Sequence, residues 1–153
     1  MVMAALLYIV KVTGSTTVAR VTPEHVEAGF AHSLQTNPLP DGLAAYLIHG
    51  PFLFGAADKL GVFEQDFDSL PAVVMLRLRN MAAIDATGLH ALENLAERLL
   101  ASGRHLILCG MRAQPAKLMT QADFQHRIGG ENSCVSLKDA VERARELLKL
   151  PRS

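Results

Sequence analysis

Apolar residues fall along the chain in blocks of different period. "PAVVMLRL" (71–78) is almost continuously apolar and rich in β-branched side chains, which predicts a central strand covered on both faces. "RHLILCG" (104–110) predicts a shorter strand of the same kind. Between them Leu89, Leu92, Ala96 and Leu99 recur at three and four residues, while His90, Glu93, Asn94, Glu97 and Arg98 take the other side. That spacing predicts an amphipathic helix, ended by Gly103. Upstream, "LAAYLIHGPFLFGAADKLGVFEQDF" (43–67) reads as a strand, a Gly50-Pro51 break, a second short strand, and a helix with Ala56, Leu60, Phe63 and Phe67 on one face. Downstream, "QPAKLMTQADF" (114–124) has an early proline and a helical Ala116, Met119, Ala122 spacing. The last block, "SCVSLKDAVERARELLKL" (133–150), pairs Ser136 with Asp139 as a capping box before a Val141, Ala144, Leu148 stripe. From Leu43 onward strands alternate with helices, so the expected class is α/β, with a mainly parallel sheet of about four or five strands and about four helices.

The first forty residues follow another pattern. "MVMAALLYIV" (1–10) is apolar and uncharged up to Lys11, half of the about 20 residues that a membrane-spanning helix needs. It lacks the positive region and cleavage site of a secretory signal. Two readings fit: a short strand joining the core, or the last turns of a transmembrane helix, with Lys11 and Arg20 on its cytoplasmic side. "GSTTVAR" (14–20) reads as a linker able to extend into a short strand. "TPEHVEAGFAHSL" (22–34) predicts a helix with Thr22 as N-cap, Pro23 at its first position, Glu24 in its first turn, and one narrow stripe of Val26, Phe30 and Leu34. Pro38, Pro40 and Gly42 stop it.

Composition narrows the function classes. Fifteen basic and fifteen acidic residues cancel, so no global field points to nucleic acid or an anionic surface. A hydrophobic share of 50% against 20% charged residues excludes general disorder. Cys109 and Cys134 have neither CxxC nor Cys/His spacing and read as reduced, buried thiols of a cytoplasmic protein. His25, His32, His49, His90, His105 and His126 show no paired ligand spacing, so no metal is expected. GxxxxGK[ST], GxGxxG and GxSxG are all missing from the sequence, and the expectation is a non-enzyme without cofactor.

"NMAAIDATGLHAL" (80–92) holds the candidate chemistry. It lies where a strand C-terminus meets a helix N-terminus, the place where sites gather in open α/β sheets. Backbone N–H groups there favour an anion, and a phosphate on Thr87 would add about −1.5 to −2 charges at the positive helix end. The plain structural alternative is that either Asp85 or Thr87 caps the helix, worth on the order of 1 kcal/mol.

Ile84-Asp85 followed by Ala86-Thr87-Gly88-Leu89 resembles the signature loop of STAS domains, found in anti-sigma factor antagonists and at the cytoplasmic C-terminus of SulP anion transporters. The order of elements from Leu43 to Leu150 is similar too. In the antagonists the hydroxyl residue before the loop glycine is phosphorylated, a position that falls here on Thr87. Ala86 and Thr87 stand where those proteins usually carry two serines. "TPEHVEAGFAHSL" joined to "IHGPFLFGAADKL" (48–60) resembles the segment between the last transmembrane helix of bacterial SulP transporters and their STAS core.

This resemblance implies three regions: the end of a last transmembrane helix over 1–10, a linker with a short helix over 11–42, and a STAS domain over 43–150. It implies a non-catalytic regulatory module of a sulfate or other anion transporter, on the cytoplasmic face of the inner membrane. Its partners would be the transmembrane domain of the same transporter and a cytoplasmic regulatory protein. Dimerisation would occur through the full-length transporter, and nucleic acid would not be bound. Asp85, Thr87 and Gly88 would form the interaction loop. The alternative is a stand-alone anti-sigma factor antagonist switched by phosphorylation at Thr87.

Overall fold

A computed structural model describes residues 16–21, 39–54 and 56–150. Five strands form one sheet in sequence order: β1 (Thr17–Arg20), β2 (Leu43–His49), β3 (Val73–Asn80), β4 (His105–Cys109) and β5 (Ser133–Cys134). Strands β2 to β5 are mutually parallel, and β1 pairs antiparallel along the free edge of β2, Thr17 opposite His49 and Arg20 opposite Tyr46. The expected α/β class and mainly parallel sheet are therefore what the chain forms. Strand β1 comes from the segment expected to be linker.

The helices are α1 (Gly61–Gln65), α2 (Ala86–Ala101), α3 (Ala113–Gln121), α4 (Phe124–Ile128) and α5 (Leu137–Leu147). Because β2 to β5 are laid down in one direction, right-handed crossovers put every connecting helix on the same face. Side chains from the segments of α1, α2, α3 and α4 accordingly pack with Tyr46, Ile48, Val74, Leu76, Leu78, Leu106 and Leu108 in one large cluster. The opposite face, with Leu43, Ala45, Val73, Met75, Ile107 and Cys109, is met by α5 through Leu137, Ala140, Val141 and Ala144.

Several local expectations change. The "second short strand" is a single bridge, Phe52 to Ile84, because Pro51 lacks an N–H and the chain turns at once, Ala56 N–H bonding to Leu53 O at 2.8 Å. The helix expected over Ala56 to Phe67 is a 3₁₀ turn at Ala56–Leu60, then α1, then another 3₁₀ turn at Phe67–Ser69. Gly61 in its middle weakens a continuous helix. Asp123, at φ 56°, separates α3 from α4. Cys109 is buried as expected, whereas Cys134 is only half-buried; both are free thiols. Among the described residues no helix is long and apolar enough to cross a membrane. The apolar opening over 1–10 and the helix expected over 22–34 lie outside the described residues.

Candidate functional site

The turn between β3 and α2 is held from both sides. Strand β3 ends in a turn, Met81 N–H bonding to Leu78 O at 3.0 Å, and the chain beyond it is held by the loop after β2: Gly50 N–H bonds to Asn80 O at 3.0 Å and Phe52 N–H to Ala83 O at 2.8 Å. On the other side Gln114, in the first turn of α3, pairs with the Ile84 backbone as a neighbouring strand would. Its Oε1 accepts from Ile84 N–H and its Nε2 donates to Ile84 O, each at 2.9 Å. Gln114 was not legible as a site residue, since its partner lies 30 positions away.

The question of which residue caps α2 is resolved by geometry. Asp85, in extended conformation, is the N-cap, its Oδ1 accepting from Gly88 N–H at 2.8 Å. Its Oδ2 accepts from Phe54 N–H at 2.9 Å, so one carboxylate fixes both the helix start and the loop after β2. Gly88 is buried and irreplaceable for steric reasons: a Cβ there would overlap the Phe52 carbonyl oxygen and come within 2.8 Å of its ring. Thr87 does not cap. Its side chain is exposed, and no described residue hydrogen-bonds to its hydroxyl.

These constraints leave a small surface beside the Asp85 carboxylate. Ala82, Ala86, Thr87 and His90 are exposed around the turn, and Phe54 stands beside them at 68% exposure. Phe54 was expected inside a strand. Its neighbour Phe52 is fully buried, and in a continued strand Phe54 would share that face; the turn closed by Ala56 N–H on Leu53 O ends the extended run first and leaves Phe54 outward. The arrangement offers a fixed helix N-terminus and an apolar side chain, and no carboxylate pair or nucleophile-base couple is gathered there among the described residues.

The cysteines lie elsewhere, as register partners at the ends of β4 and β5. Burial pushes the Cys109 thiol up to about 11, against a smaller opposing effect of the Arg77 guanidinium, and burial also raises Cys134. Both are therefore thiols at neutral pH and poor nucleophiles. Among the described residues no group of three or more His, Cys, Asp or Glu could hold a metal ion.

A fold of this kind, with an Asp-capped turn after its central strand, defines a class. The STAS domain model matches residues 35–144, and the chain belongs to the STAS domain family. Within it, the chain is similar to a sulfate transporter family protein from Wolinella succinogenes, 34% identical, covering 72% of this chain and 91% of that one at a TM-score of 0.67. It is similar also to the SulP transporter STAS domain of Vibrio cholerae, 25% identical, covering 80% and 98% of the two chains at a TM-score of 0.64. YvdB of Bacillus subtilis (strain 168), assigned as a sulfate transporter, is 24% identical over 112 residues. That match takes in 69% of this chain and only 21% of YvdB. The chain is thus a STAS domain matching the cytoplasmic domains of SulP transporters.

Proposed function

We propose that this chain is the non-catalytic regulatory and interaction domain of a SulP-type anion transporter, working at the cytoplasmic face of the membrane. Asp85, Thr87 and Gly88 form its docking turn. In this reading residues 1–10 end the last transmembrane helix, 11–42 link it to the domain, and dimerisation occurs through the full-length transporter. The observation that carries the docking role is the exposed surface of Phe54, Ala86 and Thr87 on a backbone that Asp85 and Gln114 hold from two sides. A pre-formed apolar surface loses little conformational entropy on binding. Regulation requires that its partner bind one conformation of the transporter better than the other.

The exposed Thr87 hydroxyl, at the second position of α2, keeps the anti-sigma antagonist as the second reading. Anion uptake by the full-length transporter separates the two. Thr87→Glu and Phe54→Asp should alter uptake at unchanged membrane abundance, and Thr87 should take up no phosphate from an anti-sigma kinase. Unchanged uptake in both variants would end the docking role. Stoichiometric phosphorylation of Thr87 with loss of kinase binding would establish the switch.

A further inference from the structure

Along β3 the alternation "VVMLRLR" changes character on one face only. Val74, Leu76 and Leu78 continue the large cluster, while on the α5 face Val73 and Met75 give way to Arg77 and Arg79. The change comes where α5 stops covering the sheet. Arg77, Arg79 and Lys138 line one cavity of about 330 Å³, with Cys109 and Gly110 as its floor and Ser136 at its rim.

Three cations on one cavity repel one another unless an anion joins them. Four other arginines are held by partners: Arg98 by Glu64, Arg127 by Glu97, Arg143 by Glu131 and Glu146, and Arg104 by the carbonyls of Leu70 and Asp68. Arg20, Arg112 and Arg145 make no ion pair among the described residues, but none of them lines the cavity that Arg77 and Arg79 share. Among the described residues no carboxylate lies within salt-bridge distance of Arg77, Arg79 or Lys138. The acid on this side, Asp139, accepts the Ser136 hydroxyl at 2.7 Å as part of the α5 cap. Gly110, at φ +71°, disfavours any side chain, although a Cβ there would meet the Arg79 Cβ only in ordinary contact at 3.6 Å. The guanidinium groups match the paired oxygens of a tetrahedral oxyanion better than they match a halide.

We propose that Arg77, Arg79 and Lys138 form a binding site for a tetrahedral oxyanion, sulfate or phosphate, free or as the head of a larger phosphate ester. Binding to the chain stands apart from the docking turn; only its use as a signal to a transporter rests on the proposed function. The test is a nuclear magnetic resonance titration of the whole 153-residue chain. Sodium sulfate, sodium phosphate and sodium chloride form three arms at matched ionic strength, and co-sedimentation with phosphatidylglycerol vesicles forms a fourth.

Sulfate or phosphate should give saturable shifts at Gly110, Val135 and Lys138, with chloride at least about tenfold weaker. Binding to the vesicles alone would assign the oxyanion to a lipid head. Arg77→Gln with Arg79→Gln should weaken binding at least about tenfold at an unchanged melting midpoint, and R77K with R79K should restore part of it. Lys138 is exposed on α5, so Lys138→Gln should weaken binding severalfold even where the double variant misfolds. Equal binding of chloride and sulfate, no binding in any arm, or full binding by the Gln variants would overturn the site.

Discussion

Two helices, α2 and α5, begin at the same edge of the sheet, and they are started differently. Asp85 caps α2 and also holds Phe54 N–H, 31 residues away in sequence, while Gly88 lets the helix touch the Phe52 backbone. Ser136 and Asp139 cap α5 by themselves: Asp139 N–H donates to the Ser136 hydroxyl oxygen, and that hydroxyl donates to the Asp139 carboxylate. The first helix start is a tertiary junction and the second a local motif. A junction fixes the geometry of the turn from two segments. A local motif leaves the neighbouring cations at the end of β3 free of structural duty.

The comparison breaks most visibly at Gly88. Gly88→Val drives a side chain into the Phe52 carbonyl, and a loss of about 3 kcal/mol or more is expected from chemical denaturation. Next, Asp85→Ala removes the cap and leaves the Phe54 N–H unpaired, for about 2 kcal/mol, while Ser136→Ala should cost only about 1 kcal/mol. Thr87→Ala, at an exposed position without a capping bond, should stay within about 0.5 kcal/mol. Equal costs for Asp85→Ala and Ser136→Ala would show that the Phe54 bond adds nothing.

The smallest effect is one of pH. Burial raises the pKa of Cys109, beneath the α5 corner, and of Tyr46. Each is neutral when protonated, so above the unfolded-state values the folded chain holds more protons than the unfolded one, and stability falls as pH rises. Melting midpoints should decline from about pH 9 toward about 11, and Cys109→Ala should flatten part of that decline.

Local chemistry was legible in the sequence; coincidences between distant segments were not. The apolar runs of β2, β3 and β4, the stripe of α2 and the capping box of α5 are each complete within a dozen or so residues, and each appears where its pattern points. Strand β5, two residues long, carries too little pattern to be seen. Asp85 and Thr87 were equivalent as caps until the Phe54 N–H, brought in by the Phe52 bridge, gave the carboxylate a second donor. Gln114 and Phe54 became part of the turn for the same reason. The α2 stripe was also wider than expected: Leu95 is buried with it, and Glu93 is largely covered, where Arg127 from α4 approaches it at 3.9 Å.

Strand β1 has a mechanical consequence. The chain enters it at Thr16, whose hydroxyl bonds to Pro51 O, so the entry point stands at the same edge as the Asp85 turn. A pull between the preceding segment and a body docked on the turn runs across the strands and opens the four β1–β2 pairs one at a time, starting from Thr17 and His49. The same pull from opposite edges would load all four together, so the antiparallel edge strand yields like a zipper at low force.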